Sequence, residues 1–312
     1  MLGGIQWRRV GSVPGNTRPA GAVLGWARLG ERLSRVGVAM GLVTLVAVAA
    51  GLAGPAAADA RARFFHFNAC GNVCNDGRVS PAAEAITDSI LDLRPHAVGL
   101  NEMCQTQFRA LRRRLRGTAW RMRGRFVVTK RGGSDCRRNR HGKRLYGNAV
   151  LTRSRITWKR VRRLPRPDGT EVRKMLCVQT RILRRATRVC STHISPEGEA
   201  KQRAQIRRVA RTVTPWVRHG SPVVLMGDFN VEPDSRPLNR IYNPRHPGTS
   251  RGVFQEVDET FFHCRCGEDT QGSRKIDYVF VSGRHFRRLN GDATHSDISD
   301  HDPVRGWAAR QR

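Results

Sequence analysis

The chain has 312 residues, with 57 Lys or Arg against 25 Asp or Glu and a formal net charge of +32 at pH 7. That length excludes a scaffold too small to bury a core, and the charge disfavours cationic partners while saying nothing about fold. Only six of the basic residues are Lys, so the charge sits on planar guanidinium forks, which suit phosphate oxygens. The partners this implies are nucleic acid, an acidic polymer or an anionic membrane surface.

Residues 1–58 read as an export segment. Arg8, Arg9, Arg18, Arg28, Arg32 and Arg35 precede the apolar run VGVAMGLVTLVAVAAGLAG at 36–54, and Pro55 leads into three alanines. A charged region, an apolar run and an A-x-A pattern are the parts of a secretory signal, cut near Ala58 or Ala60. Arg8-Arg9 is a weak hint of twin-arginine export. A retained anchor is the rival reading, for which a Gly- and Ala-rich run of this length is marginal. Removing six Arg and Glu31 leaves +27 on residues 59–312.

That remainder alternates strand-like and helix-like segments without an internal repeat or a low-complexity linker. Strands are expected at 63–70 and 96–102, with a helix between them opened by Ser80 as N-cap and Pro81 at the first helical position. Phe108, Leu111 and Leu115 mark a second helix. Further strands follow at 125–129, 146–152, 174–183 and 188–194. Ser195-Pro196 repeats the helix-start signal, and Ile206, Val209, Val213 and Trp216 form an apolar stripe. Strands at 222–227, 276–282 and 304–307 complete the chain. The pattern suits one domain of two sheets packed face to face with helices outside.

Eight cysteines, at 70, 74, 104, 136, 177, 190, 264 and 266, are an even number in a chain read as exported, which points to disulfides. Cys177 and Cys190 lie in two strand-like runs joined by a short basic turn and could face each other across a hairpin. Zinc is the alternative, but the C-x-x-x-C and C-x-C spacings lack a partner set.

Polar residues recur at the ends of apolar strands: Asn68; Asn101 and Glu102; His193; Asp228 and Asn230; Asp277; and Asp300 with His301. Any one of them has a bland reading as a cap or turn residue. Asp228 and Asn230, two apart after VVLMG, fall on one face if the strand continues, so both can point at one ligand.

Asn68, NE at 101–102, STHIS at 191–195, GDFN at 227–230, IDYVFVS at 276–282 and SDHDPV at 299–304 together resemble the endonuclease/exonuclease/phosphatase superfamily, in order, across residues 64–307. The resemblance implies the deoxyribonuclease I-like fold, a four-layer α/β sandwich of two face-to-face, mostly antiparallel β-sheets flanked by helices. It implies that Glu102, Asn68 and Asp300 hold a divalent metal, Mg²⁺ first, with Mn²⁺ or Ca²⁺ possible. Asp228 and Asn230 then orient the attacking water or hold a second ion. His301, positioned by Asp277, is the general base or a phosphate-binding imidazole, and His193 is suited to protonate the leaving oxygen. Asn68, Asn230, His193 and His301 contact the substrate phosphate.

One departure stands out. Deoxyribonucleases of this family give the acid-side histidine a Glu partner, but between Glu102 and His193 this chain has only Asp135, Asp168 and Glu171. YGNAVLT at 146–152 instead resembles members with an aromatic near this position. His66 alternates in phase with Asn68 and reads as packing more than as site lining. His141, His246, His263 and His285 read as surface, and His295, Asp297 and Asp302 as exposed loop positions.

The shared residues leave the phosphodiester open among nucleic acid, sphingomyelin and inositol phosphates. Arg-rich runs at 109–125, 137–144 and 154–174, interleaved with Trp120, Tyr146 and Trp158, suit a polyanion with stackable bases. No apolar insertion hairpin is visible. The expectation is a secreted, disulfide-stabilised, Mg²⁺-dependent monomeric endonuclease on DNA or RNA, with no stable membrane insertion once the signal is removed. A sphingomyelinase-like or inositol-phosphate activity, or a non-catalytic nucleic-acid or surface binder, is the alternative.

Overall fold

The computed structural model describes residues 61–132, 134–259 and 263–311. The export segment expected at 1–58, with its cleavage site, lies outside them. In chain order the elements are β1 (Arg61–Asn68), α1 (Ser80–Leu93), β2 (Ala97–Cys104), α2 (Gln105–Arg116), β3 (Arg123–Arg131), β4 (Leu145–Thr152), β5 (Trp158–Arg163), β6 (Lys174–Ile182), β7 (Arg185–His193) and α3 (Glu199–Arg218). β8 (Val223–Asp228), a 3-10 turn (Arg236–Arg240), β9 (Phe254–Glu256), β10 (Asp277–Ser282), β11 (Phe286–Ala293) and β12 (Val304–Arg310) follow.

Six strands form one sheet in the order β11-β12-β1-β2-β4-β3, and six form the other in the order β5-β6-β7-β8-β10-β9. The pairs β1–β2 and β7–β8 are parallel, and the remaining neighbours are antiparallel. The central strands are apolar on both faces, and their alternation assigns each side chain to a layer. Phe64, Val189, Val224, Met226, Val279 and Val304 meet between the sheets. Phe65, Phe67, Val98 and Leu100 turn the other way, against Ile86, Ile90, Phe108 and Leu111 of α1 and α2. Val223, Leu225, Tyr278 and Phe280 pack against Ile206, Val209 and Val213 of α3. The result is four layers, as the resemblance implied. Each fully buried Leu or Phe in these clusters contributes on the order of 2 kcal/mol through burial alone. Gly99 lets the sheets approach, because a Cβ there would meet Met226 Cβ at 2.9 Å.

Several local expectations need correction. Val79, rather than Ser80, is the N-cap of α1, and no side chain caps it. α3 begins at Glu199 after Gly198, three residues later than Pro196 suggested, because Ser195 Oγ instead accepts from the Glu197 N–H and donates to Asp168. Strands β5, β9 and β11 were not anticipated, and each lies at a sheet edge. β5 (WKRVRR) and β11 (FRRLNGDA) bear the basic residues that discourage edge-to-edge pairing.

All eight cysteines pair: Cys70–Cys74, Cys104–Cys136, Cys177–Cys190 and Cys264–Cys266. Cys177 and Cys190 are direct cross-strand partners in β6 and β7, as the hairpin reading expected.

Candidate active site

Strand register brings the polar residues together. Asn68 lies beside Asn101 across β1 and β2, and His193, Asp228 and Asp277 form one row across β7, β8 and β10. Parity decides which way they point. Asn68 and His66 share the face of Phe64, His193 that of Val189, Asp228 that of Val224 and Met226, and Asp277 that of Val279, all turned toward the opposite sheet. At the end of the sandwich the apolar core therefore gives way to a polar rim.

Two local distortions complete it. Alternation would turn Glu102 away, outward with Leu100. A bulge between Leu100 and Met103, with Glu102 at φ 56°, redirects its carboxylate so that it accepts from Asn68 Nδ2 at 3.1 Å. Asn68 Nδ2 also donates to Asp228 Oδ2 at 3.0 Å. Asn230 reaches the rim differently from the expected continuation of the strand. β8 ends at Asp228, Asn230 takes φ 50°, its N–H donates to Asp228 Oδ1 at 2.8 Å, and its side-chain Nδ2 lies 3.3 Å from His193 Nε2. Asn is one of the few residues that accepts this backbone readily.

His301 Nδ1 lies 2.6 Å from Asp277 Oδ2, and His66 Nε2 lies 3.0 Å from Asp277 Oδ1. One carboxylate thus receives two imidazoles. Burial would raise the Asp277 pKa, but the His301 charge and the two imidazole hydrogen bonds outweigh it and hold the group well below the usual carboxylate range. Burial likewise lowers His301, but Asp277 reverses this, aided by Asp228 and Asp300, and pushes it up to about 10. His301 is therefore cationic at neutral pH. Asp228 is pushed up to about 7, by burial first and then by the Asp277 charge. His193 is held well below its ordinary value by burial, Arg173 and His301, so it is neutral.

Of the residues expected at the site, the structure brings together Asn68, Glu102, His193, Asp228, Asn230, Asp277 and His301. Asp300 does not join them. It is exposed, with its carboxylate 2.8 Å from Gln271 Nε2, the nitrogen that also contacts His301, and 3.4 Å from the Cys74 sulfur, outside the Glu102–His193–Asp228 cluster. His193 has no carboxylate at Nδ1, which is buried without a hydrogen-bond partner among the described residues. Its Nε2 lies 3.4 Å from Asp228 Oδ2 and 3.8 Å from Glu102 Oε1.

Four residues were missed or undervalued. His66, read mainly as packing, supports Asp277, and its phase with Asn68 was the available signal. Asn101 joins the sheets, accepting from the Asp228 N–H at 2.9 Å and donating to Ser191 Oγ at 3.2 Å. Gln271 Nε2 lies 2.9 Å from His301 Nε2. Tyr146 is kept neutral by burial and by the neighbouring Glu102 carboxylate. Two histidines read as surface, His246 and His285, are buried, whereas His295 and Asp297 are exposed as expected.

The aromatics of the Arg-rich runs do not form open stacking platforms. Arg153 covers Trp120 at 4.7 Å, and Arg188 lies 5.7 Å from the centre of Trp158, which itself packs on Trp216. Among the described residues the exposed large hydrophobic side chains are Val73 and Val161, and no helix is long and apolar enough to cross a membrane.

The donor set fits a hard divalent cation. Glu102 and Asp228 offer carboxylate oxygens, held side by side by Asn68 Nδ2, which donates to both, and the ligand atoms of Glu102, His193 and Asp228 lie within 4.8 Å of one another. A cation there relieves the burial and like-charge repulsion that raise Asp228.

Two face-to-face six-stranded sheets, flanked by helices and closed at one end by carboxylates and imidazoles, define the deoxyribonuclease I-like class of α/β sandwich. The sequence model of the Endonuclease/Exonuclease/phosphatase family matches residues 65–301, and the chain belongs to that family. Its members are generally hydrolases of phosphoester bonds and typically depend on a divalent metal. No curated protein matches the chain significantly. Among solved structures, the human Nocturnin catalytic domain with bound sulfate is similar at 15% identity and TM-score 0.63, over 80% of this chain and 94% of that one. An endonuclease/exonuclease/phosphatase from Bacteroides vulgatus is similar at 18% identity and TM-score 0.60, over 80% and 99%. A mannosyl-6-phosphatase of Bacteroides thetaiotaomicron is similar at 15% identity and TM-score 0.57, over 78% and 98%.

Proposed function

We propose that this protein is a secreted, monomeric, Mg²⁺-dependent phosphodiesterase that cleaves DNA or RNA internally. The observation that carries the reading is the Asp277–His301 pair set against Asp228, Asn230 and His193 in one polar rim. Cationic His301 and the Asn230 amide bind the non-bridging oxygens of the scissile phosphate, where charge grows in the transition state. Asp228, kept ionised at neutral pH by the bound cation, accepts the proton of the attacking water. Neutral His193 positions that water or the phosphate by hydrogen bonding. The proton-donor place that the resemblance offers it is less favoured, because burial disfavours the imidazolium. Glu102 and Asp228, positioned by Asn68, hold the cation, which when bound polarises the phosphoryl oxygens.

The substrate class rests on charge. Residues 59–312 carry +27, mostly as guanidinium, and a polyanion rewards that with counterion release. Among the described residues the exposed large hydrophobics are Val73 and Val161, which give little purchase on a bilayer and so support nucleic acid over sphingomyelin. Eight paired cysteines support an oxidising destination. The purified protein incubated with plasmid DNA, RNA, sphingomyelin vesicles and inositol polyphosphates, with and without EDTA, separates the readings. The expected result is cation-dependent breakdown of nucleic acid alone. Release of choline phosphate or inorganic phosphate instead selects the lipid or inositol readings, and no turnover of any substrate leaves a binder.

A further inference from the structure

A second group of metal-ligating side chains lies between the 3-10 turn and β10, and none of its members belongs to the site above. His246 Nε2 is 2.7 Å from Glu259 Oε1, and the imidazoles of His246 and His263 pack edge to face with centroids 4.7 Å apart. The ligand atoms of the three residues all fall within 4.8 Å of one another. Shielding from water is strong: the side chain of His246 is 0% exposed and that of Glu259 5%.

The hydrogen-bond inventory around His246 points to a cation. Its Nδ1 faces two acceptors, the Asn243 carbonyl at 3.2 Å and Asn243 Oδ1 at 3.1 Å. Oδ1 is marked as the amide oxygen because it accepts the Arg245 N–H at 2.9 Å. Nδ1 therefore carries the ring hydrogen, and the lone pair of the neutral ring sits on Nε2. With Nδ1 so engaged, Nε2 is the nitrogen turned to the Glu259 carboxylate, in position to share a cation with it. One divalent cation can engage both rings and the carboxylate together, because the three ligand atoms already converge within 4.8 Å. An Nδ1–H held by a carbonyl oxygen is also the usual outer support of a metal-ligating histidine. The other Glu259 oxygen accepts the His263 N–H at 3.0 Å, which fixes the carboxylate.

We propose that His246, Glu259 and His263 bind one divalent cation of the zinc class. Two imidazole nitrogens and one carboxylate oxygen are the donors that zinc takes, with a water in the remaining position, whereas Mg²⁺ prefers oxygen throughout. Bound there, the cation ties the turn before β9 to the chain that follows it. It is a structural staple, separate from the cation held at Glu102.

The test uses the full protein and zinc itself, read by metal content and melting temperature so that activity plays no part. The purified chain is dialysed with EDTA, then titrated with ZnSO₄ in Mg²⁺-containing buffer, alongside His263→Asn, Glu259→Gln and Glu102→Gln. The expected result is one tightly held zinc per chain and a raised melting temperature for the wild type and Glu102→Gln, with at least about 100-fold weaker binding in the other two variants. Absence of tight zinc binding by the wild type, which no misfolded variant can mimic, overturns the proposal. So does wild-type zinc affinity in both His263→Asn and Glu259→Gln, or loss of the zinc in Glu102→Gln alone.

Discussion

Replacing Asp277 with Asn leaves the size of the side chain nearly unchanged and removes the charge that holds His301 protonated. In the native protein His301 is raised from 6.5 to about 10, a differential interaction of roughly 5 kcal/mol at about 1.4 kcal/mol per unit. Burial pulls His301 down and Asp277 is the largest influence pulling it up, so in Asp277→Asn the ring falls well below about 10. The sign for stability follows. The raised His301 adds stability that is complete below pH 6.5 and lost as pH rises through about 10. The depressed Asp277 adds stability lost only as pH falls through its very low folded value. Across the neutral range the variant loses both, and breaking a buried pair of this kind costs about 3–5 kcal/mol. The assay is a pH profile of kcat/KM on a cleaved nucleic acid, beside guanidinium unfolding. The expected outcome is an activity loss of at least about 100-fold at pH 7, with the alkaline limb moved down from near 10. Activity within a few-fold of wild type with an unmoved alkaline limb refutes the reasoning.

Other substitutions test the remaining parts. His301→Ala and Asp228→Ala each lower turnover by at least about 100-fold, and steady-state rates near wild type in either contradict the assignment. Since Asp228 must be ionised to act, wild-type kcat/KM rises through about pH 7, and higher Mg²⁺ moves that limb to lower pH. A limb indifferent to Mg²⁺ removes Asp228 from the cation's neighbourhood. Asn101→Ala strands the buried Asp228 N–H, costing about 1–3 kcal/mol in denaturant unfolding and lowering kcat more than it changes KM. Replacing Cys104 and Cys136 together by Ser opens a 32-residue loop, and chain entropy puts the loss at about 3–4 kcal/mol by calorimetry under non-reducing conditions.

The layers were legible wherever strands carried apolar residues on both faces, because VVLM at 223–226 or FF at 64–65 can satisfy two neighbours only inside a stack. β5 and β11 were hidden because an edge strand needs little apolar surface, and WKRVRR reads as a solvated charge run when pairing is unknown. Most site residues were recognisable as polar breaks at strand ends, yet how they converge was not. The bulge that turns Glu102 inward and the left-handed backbone that turns Asn230 are decided by tertiary fit. Asn101 binds its partners across the gap between sheets, which no spacing along the chain reports. Asp300 was placed near the metal by the resemblance alone, whereas its exposed carboxylate is taken by Gln271 outside the Glu102–His193–Asp228 cluster.

The account turns on one convergence: Glu102, Asn68 and Asp228 around a cation, with His301 and Asn230 around a phosphate beside it. Anomalous diffraction at the manganese edge, from crystals soaked in Mn²⁺ and inorganic phosphate, tests it most directly. The account predicts a manganese peak within about 2.3 Å of a Glu102 carboxylate oxygen, with phosphate density bridging His301 Nε2 and the Asn230 amide. Manganese and phosphate bound only elsewhere, with this rim filled by water alone, contradicts it.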